Sequence, residues 1–161
     1  MNQEERRQFV KERRTCVFGY ERKQGPPSMS IVYYVMDGDD MLVSTMAERA
    51  KARAVRRNPQ VSLCVLDEQW PPTYLVVFGE AEIETNTDAV IDLMMRIGEL
   101  MSGQKLPDEA RPVVAAMAEK EQRIVIRIRP RKTFETPPKH LYAGDDGSKL
   151  DHGLGQSLPW R

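Results

Sequence analysis

A chain of 161 residues is long enough to form one domain with its own core and a short tail. Its 24 basic and 24 acidic residues cancel, which argues against general nucleic-acid binding, since proteins of that class usually carry a basic excess. The N-terminal MNQEERRQF lacks the apolar centre of a signal peptide, and the longest apolar run, residues 74–78, is far too short to span a bilayer. We therefore expect a cytoplasmic protein with no membrane partner.

Hydrophobic patterning predicts a mainly β chain with peripheral helices. A short charged helix is expected at 3–13, and the turns QGPP and DGDD separate three early strands into two antiparallel hairpins. Two amphipathic helices follow later, the first with Thr87 as its N-cap. The strands are predicted at 15–23, 28–36, 41–45, 60–67, 73–84 and 123–135, and the helices at 86–101 and 106–121. Six strands with helices between them imply a small β-barrel decorated by helices.

The end of the chain differs in composition. Residues 136–161 are rich in Pro, Gly and Asp and show no periodicity, so we expect a tail that is either disordered or lies as an arm on another surface. The division predicted is a domain at 1–135 and this tail. Cys16 and Cys64 fall in separate strands without a CxxC pattern, and both histidines lie in the tail, so we expect reduced thiols and no metal site.

The most unusual segment is STMAERAKARAVRRNP, residues 44–59. It concentrates five cations against one acid, Glu48, and in a helix arginines at i,i+4 repel each other by roughly 0.2–0.5 kcal/mol per pair. Cations near a helix start also oppose the helix dipole, so the cluster makes sense where an anion binds. Ser44 and Thr45 end the preceding strand and would add hydroxyl donors to the free N–H groups of the helix start. The cations of this predicted phosphate cradle are Arg49, Lys51, Arg53, Arg56 and Arg57.

Two other interpretations of the basic segment remain open. It could be a solvated face, or it could pair with the acids Glu80, Glu82 and Glu84 of the predicted strand 73–84. Nothing in the chain fits a glycine-rich dinucleotide loop or a Walker A pattern.

Several motifs together resemble the pyridoxamine 5'-phosphate oxidase-like split-barrel family. They are the Gly25–Pro27 turn into a strand, LVST, RAKARAVRRNPQVSL and YLVVFGEAEI, and the resemblance covers about residues 5 to 135. The branch that the chain is most similar to contains the flavin and deazaflavin oxidoreductases that use coenzyme F-420. The resemblance implies a six-stranded antiparallel split β-barrel that forms a homodimer, with two cofactors in grooves at the dimer interface.

The resemblance also implies where the cofactor binds. Its phosphate side would lie against Ser44, Thr45 and the basic segment, and its ring system against the second strand. Trp70 and Tyr74 would close the pocket from the partner chain. The second-strand candidates are Met29, Ser30, Ile31 and Val32. Many relatives carry a polar residue where this chain has Ala54, which removes one possible hydrogen bond to the cofactor.

The function implied by the resemblance is hydride transfer between F-420 and an unsaturated small-molecule acceptor. Five cations exceed what one phosphate monoester needs, which favours F-420 over FMN. No catalytic acid is identified, since Tyr33, Tyr34, Tyr74 or an arginine could each donate a proton. The alternatives are an FMN-dependent oxidase or reductase of the same fold, a non-catalytic cofactor-binding protein, and a binder of nucleic acid or acidic proteins through residues 49–57. The neutral charge counts against the last of these.

Overall fold

The computed structural model describes residues 1–69, 73–135 and 155–161, which form eight strands and four helices. The mainly β class is confirmed, and both predicted hairpins are present. The elements are α1 Gln3–Glu12, β1 Thr15–Tyr20, β2 Ser28–Tyr33, β3 Val35–Asp37, β4 Asp40–Met46, α2 Ala50–Arg57, β5 Gln60–Asp67, β6 Thr73–Glu84, α3 Thr87–Ser102, α4 Ala110–Lys120, β7 Arg123–Glu135 and β8 Gln156–Pro159.

The sheet closes on itself through a single bent strand. The strand order is β2-β1-β5-β6-β7-β4-β3, with antiparallel neighbours throughout, and its two ends, β2 and β3, are consecutive halves of residues 28–37. The predicted strand 28–36 divides at Tyr34, whose N–H donates to Arg14 O at 3.1 Å and whose hydroxyl donates to Val10 O at 2.5 Å. Counting the two halves as one strand, the barrel has the expected six strands, with β8 added outside it.

The core is divided between the barrel interior and one outer patch. The interior holds large buried side chains such as Phe18, Met41 and Leu63, and the apolar face of α1 covers it with Phe9 and Val10. The second cluster lies where α3 and α4 pack on the outside of β3, β4 and β7. Thr87 was predicted as the N-cap of α3, but the residue that caps the helix is Asn86. Its side-chain oxygen accepts a hydrogen bond from the backbone N–H of Ala89 at 3.0 Å.

The end of the tail is ordered as a strand. β8 pairs with β7 antiparallel, and Trp160 is buried at 3% exposure in the barrel core. Arg6 of α1 donates to Pro159 O at 2.9 Å, and Gln3 donates to Trp160 O at 3.0 Å. The sequence analysis predicted a tail without periodicity and therefore missed the strand at 156–159. The arm that this strand forms lies on the barrel of its own chain.

One close approach in the barrel requires glycine. The register between β6 and β7 shifts between Phe78 and Gly79. A Cβ atom at Gly79 would lie 2.6 Å from Ile128 Cγ2 and 2.9 Å from the carbonyl oxygen of Arg129, and the second of these atoms belongs to the backbone and cannot move aside. The glycine thus allows the bulge, in which Arg131 is the extra residue on β7.

Candidate functional site

A surface cleft of about 650 Å³ lies between the barrel and the α3–α4 hairpin. One wall comes from β2 and the end of β4, and the other comes from α3, α4 and the loop that joins them. The cleft has a polar end formed by Ser44, Thr45, Arg49 and Lys51. Six of the residues predicted to bind a cofactor therefore meet here, the other two being Ile31 and Val32.

The polar end is built by the chain between β4 and α2. β4 ends at Met46, and the N-cap position of α2 is taken by Arg49, whose side chain makes no capping hydrogen bond. The first turn of α2 contains no acid, so nothing there neutralises the positive end of the helix. Ser44 Oγ is buried and has no hydrogen-bond partner in the described part of the chain. A buried unpaired hydroxyl is costly, and a ligand that accepts its proton would recover that cost.

Lys51 is a half-buried cation of the cleft. Burial lowers the pKa of its ammonium group from the ordinary value near 10.5, and the neighbouring Arg49 lowers it further, while Cys16 acts in the opposite direction. Among the residues that the structure describes, neither Lys51 nor Arg49 forms an ion pair with a carboxylate. Two uncompensated cations in a cleft attract an anion, and a bound anion would in turn favour the charged form of Lys51.

The other three cations of the basic segment do not line this cleft. Arg53 donates to Glu48 O at 2.8 Å and Arg56 donates to Ala47 O at 2.9 Å, so both hold the turn that presents Arg49. Arg57 donates to Glu21 O at 2.9 Å and ties α2 to the end of β1. These three guanidinium groups belong to the helix that begins at the cleft, but their observed contacts are with backbone carbonyls.

The acids Glu80, Glu82 and Glu84 do not pair with the basic segment. They lie on β6 and form ion pairs across the sheet with arginines of β7, since Glu80 contacts Arg131 at 2.7 Å and Glu82 contacts Arg129 at 2.5 Å. Glu84 contacts Arg127, which also pairs with Asp37 at 2.8 Å and Asp40 at 3.1 Å. The interpretation of the basic segment as the partner of these three acids is therefore wrong.

Met29, Ser30 and Tyr74, which were also predicted at the cofactor site, do not line the cleft. Met29 and Ile31 point to the outer face of β2, with exposures of 71% and 76%, and only Ile31 reaches the cleft. Ser30 Oγ is buried without a partner in the described chain, but it does not line the cleft. Tyr74 lies on β6 opposite Leu66, away from the cleft. Trp70 lies outside the described residues, so its predicted contact stays a prediction.

Sequence reasoning missed one whole wall of the cleft. The helical wall consists of Met94, Ile97, Met101, Leu106, Val114 and Met117. Three of these, Met94, Ile97 and Met101, lie at helical spacing on α3, which was predicted to be amphipathic, but an apolar stripe alone does not distinguish a core face from a cleft face. Arg123, at the start of β7, also lines the cleft, and it is paired with Glu121 at 2.7 Å.

The described residues were also searched for a metal site and for a membrane-spanning helix. They contain no group of three or more histidine, cysteine or carboxylate side chains placed to hold a metal ion. No helix in the described part of the chain is long and apolar enough to cross a membrane.

A closed antiparallel barrel with a basic cleft at the end of β4 defines a split-barrel protein. The chain belongs to the pyridoxamine 5'-phosphate oxidase family, whose family model matches residues 3–136. The comparison with curated proteins returned no match.

Solved structures agree with this fold. The conserved hypothetical protein Rv2991 from Mycobacterium tuberculosis is 25% identical with a TM-score of 0.76, over 92% of this chain and 95% of that one. An F-420 reductase is 21% identical with a TM-score of 0.62, over 78% of this chain and 93% of that one. An FAD-binding protein from Mesorhizobium loti is 20% identical with a TM-score of 0.56, over 83% and 90% of the two chains. The last two similarities show the fold alone.

Proposed function

We propose that this protein is an oxidoreductase that transfers a hydride between the deazaflavin coenzyme F-420 and an unsaturated small-molecule acceptor. The observation that carries the proposal is the polar end of the cleft. There the unpaired Ser44 Oγ lies with two cations, Arg49 and Lys51, that have no carboxylate partner in the described chain. This donor set fits the acidic arm of a redox cofactor, because hydroxyl, guanidinium and ammonium groups are the usual ligands of phosphate.

The protein's own contribution would be binding and orientation. Ser44, Thr45, Arg49 and Lys51 would hold the acidic arm, while Ile31 and Val32 would support the ring system. The cofactor supplies the hydride when bound, from C5 of a deazaflavin or N5 of a flavin. The apolar helical wall would exclude water from the acceptor. No side chain is assigned as proton donor.

The outer face of the barrel supports a homodimer. On β2, Met29 and Ile31 stand exposed, and the pairing register aligns them through β1 and β5 with Phe78 and Val76 on β6. A second copy covering this apolar face would also reach Ile31 at the rim of the cleft. We therefore propose that the partner subunit completes the cofactor site, as the predicted roles of Trp70 and Tyr74 require.

FMN is the second candidate cofactor, and a specific observation favours it. Only two of the five cations that argued for F-420 line the cleft, and two are enough for one phosphate monoester. Arg53, Arg56 and Arg57 are exposed on the adjoining helix, where the oligoglutamate tail of F-420 would run. One neighbouring structure is named as an F-420 reductase, which parallels the F-420 choice, and another is named as binding FAD, which is a flavin but not FMN.

Titration of the purified protein with F-420 and, separately, with FMN tests the proposal. We expect the protein to quench the fluorescence of one of the two cofactors saturably, at one cofactor per subunit. The reduced form of that cofactor should then reduce an unsaturated acceptor. Saturable binding without turnover over a broad acceptor panel would favour a non-catalytic cofactor carrier. No binding of either cofactor would contradict the proposal.

The charge of Lys51 makes cofactor affinity dependent on pH. Because burial and Arg49 lower the pKa of Lys51, its ammonium group loses its proton at a lower pH than a free lysine. Affinity should therefore fall, by up to roughly tenfold, as pH rises toward the ordinary lysine pKa near 10.5. The variant Lys51→Arg keeps its charge over this range, so its dissociation constant should vary less with pH. Identical pH profiles in the two proteins would show that Lys51 does not contact the anion.

A further inference from the structure

A second surface cleft, of about 860 Å³, lies on the opposite side of helix α3 from the cleft described above. Arg96, Glu99 and Leu100 line it, and at 3.6 residues per turn they face away from the α3 residues that line the first cleft. The end of α1, the link from α1 to β1, and β3 form the other wall. We name this site the α1–α3 cleft, and its charged lining residues are Lys11, Arg13, Arg14, Arg96, Glu99 and Lys105.

The lining of the α1–α3 cleft is strongly basic in a chain whose net charge is zero. Five cations face one acid, Glu99, and they come from three separate parts of the chain, which are α1 with its link to β1, helix α3, and the α3–α4 loop. The fold therefore brings together charges that are distant in sequence. A cleft lined by one sign of charge focuses the electrostatic field and attracts ions of the opposite sign.

Two of the five cations also have structural contacts. Arg13 pairs with Asp67, and its guanidinium lies 4.5 Å from the centroid of the Phe9 ring, so it fixes the end of α1. Arg96 donates from one nitrogen to Met36 O at 2.5 Å. A guanidinium group carries several N–H donors in a fixed plane, so most of those of Arg96 remain available to a ligand.

The other three cations have no partner in the described chain. Lys11, Arg14 and Lys105 are exposed, and within residues 1–69, 73–135 and 155–161 their side chains form no ion pair and no hydrogen bond. The one acid of the cleft does not contact them, because Glu99 Oε1 accepts a hydrogen bond from the backbone N–H of Leu106 at 3.1 Å. Three positive side chains are therefore left without a carboxylate contact at the same cleft.

Neither surface ion pairing nor the helix dipole explains this arrangement. Elsewhere on the barrel, exposed arginines of β7 pair with glutamates of β6. A cation in the last turn of a helix is stabilised by the helix dipole, which accounts for Lys11 of α1. Arg96 lies before the last turn of α3, while Arg14 and Lys105 lie outside the helices, so the dipole does not account for them.

We propose that the α1–α3 cleft binds a compact small molecule that carries two or more neighbouring anionic groups, phosphate or carboxylate. Three unpartnered cations and the free N–H groups of Arg96 exceed what one monovalent anion needs. The volume falls within the range of about 300–1,000 Å³ that is typical of small-molecule sites. The inference does not rest on the proposed function, since the two clefts share no lining residue.

Calorimetric titration with simple anions tests the proposal. The protein used carries Arg49→Ala and Lys51→Ala, because the polar end of the cofactor cleft also attracts phosphate. We expect tripolyphosphate to bind saturably at one per subunit, at least about tenfold more tightly than monophosphate, and less tightly as salt is added. Citrate is titrated in parallel, and whichever of the two multivalent anions binds more tightly identifies the anionic group of the ligand.

Adding Arg14→Gln and Lys105→Gln to that protein should lower its affinity for tripolyphosphate by at least about tenfold. The matched control adds Arg22→Gln and Lys120→Gln instead, which removes the same charge from two exposed side chains that do not line the cleft. The control should change the affinity by no more than about twofold, because salt screens charges that do not contact the ligand. All four side chains are exposed, so thermal melting without ligand should agree between the two proteins.

The outcomes separate this inference from the proposed function. No binding of tripolyphosphate or citrate, or equal losses in the two pairs of variants, would overturn the α1–α3 cleft as a ligand site. Tighter binding of a single-stranded oligonucleotide or of polyglutamate than of tripolyphosphate would also overturn it, because the cations would then serve a macromolecule.

Cofactor binding is measured separately in a protein that carries only Arg14→Gln and Lys105→Gln. Its dissociation constant for the cofactor should stay within about twofold of that of the unchanged protein, because the two clefts have separate linings. Failure of the unchanged protein to bind either cofactor would refute the proposed function and leave this inference intact.

Discussion

Replacing Arg49 and Lys51 together by alanine should weaken cofactor binding by roughly 100-fold or more. Each side chain would supply a charge-assisted contact worth about 1.5–3 kcal/mol, and the solvent exposure of Arg49 places its share at the lower end. The fluorescence titration of the double variant with F-420 and with FMN measures this loss. The effect should shrink as salt is added, because both contacts are with an anion.

Arg57→Ala is the matched control for the double variant. Arg57 belongs to the same basic segment, but its guanidinium donates to Glu21 O and does not line the cleft. We expect its removal to change the dissociation constant of a phosphate monoester such as FMN by no more than about threefold. Equal losses in the two variants would show that the segment acts as a diffuse field of charge. Unchanged affinity in the double variant would refute the assignment of the polar end.

Replacing Trp160 by alanine should lower the free energy of unfolding by about 3–5 kcal/mol, the usual cost of emptying a buried tryptophan site. The indole packs in the barrel core, and the residue's N–H donates to Arg131 O at 3.0 Å. Urea denaturation followed by circular dichroism measures the change. The main loss is that of packing, since Trp160 Nε1 is buried without a hydrogen-bond partner in the described chain.

Trp160→Phe separates packing from the other contributions of this residue. Phenylalanine keeps most of the apolar volume and removes an N–H group that has no described partner, so we expect a loss of only about 1–2 kcal/mol. Arg161→Ala, one residue further on, removes an exposed ion pair with Asp39 and should cost no more than about 1 kcal/mol. A small effect of Trp160→Ala would mean that the arm formed by β8 contributes little to the stability of the barrel.

Local patterning predicted the barrel well because each of its strands carries its own signal. Ile124, Ile126 and Ile128 alternate with arginines on β7, and β-branched residues mark β2, so the elements could be located without tertiary information. The strand at 156–159 could not be found this way. It is short and has one buried neighbour, Trp160, and its order comes from pairing with β7 and from contacts to α1.

The candidate site was predictable only in its charged half. Arg49 and Lys51 could be named because five cations in a neutral chain are unusual, but charge alone did not show that Arg53, Arg56 and Arg57 bond to carbonyls of neighbouring turns. The helical wall of the cleft could not be inferred, because an apolar stripe is compatible with core packing and with a ligand surface. Only the position of the hairpin relative to β2 distinguishes the two.

The α3–α4 hairpin leaves and rejoins the barrel at adjacent points, because Glu84 at the end of β6 pairs with Val125 near the start of β7. A tight turn could join these two strands directly, so the whole hairpin is a modular insertion in the barrel's connectivity. A foreign hairpin that matches the barrel patch of Val35, Leu42 and Val125 could replace it while the basic end of the cleft stays in place. Grafting at this joint offers a route to new acceptor preferences within one cofactor scaffold.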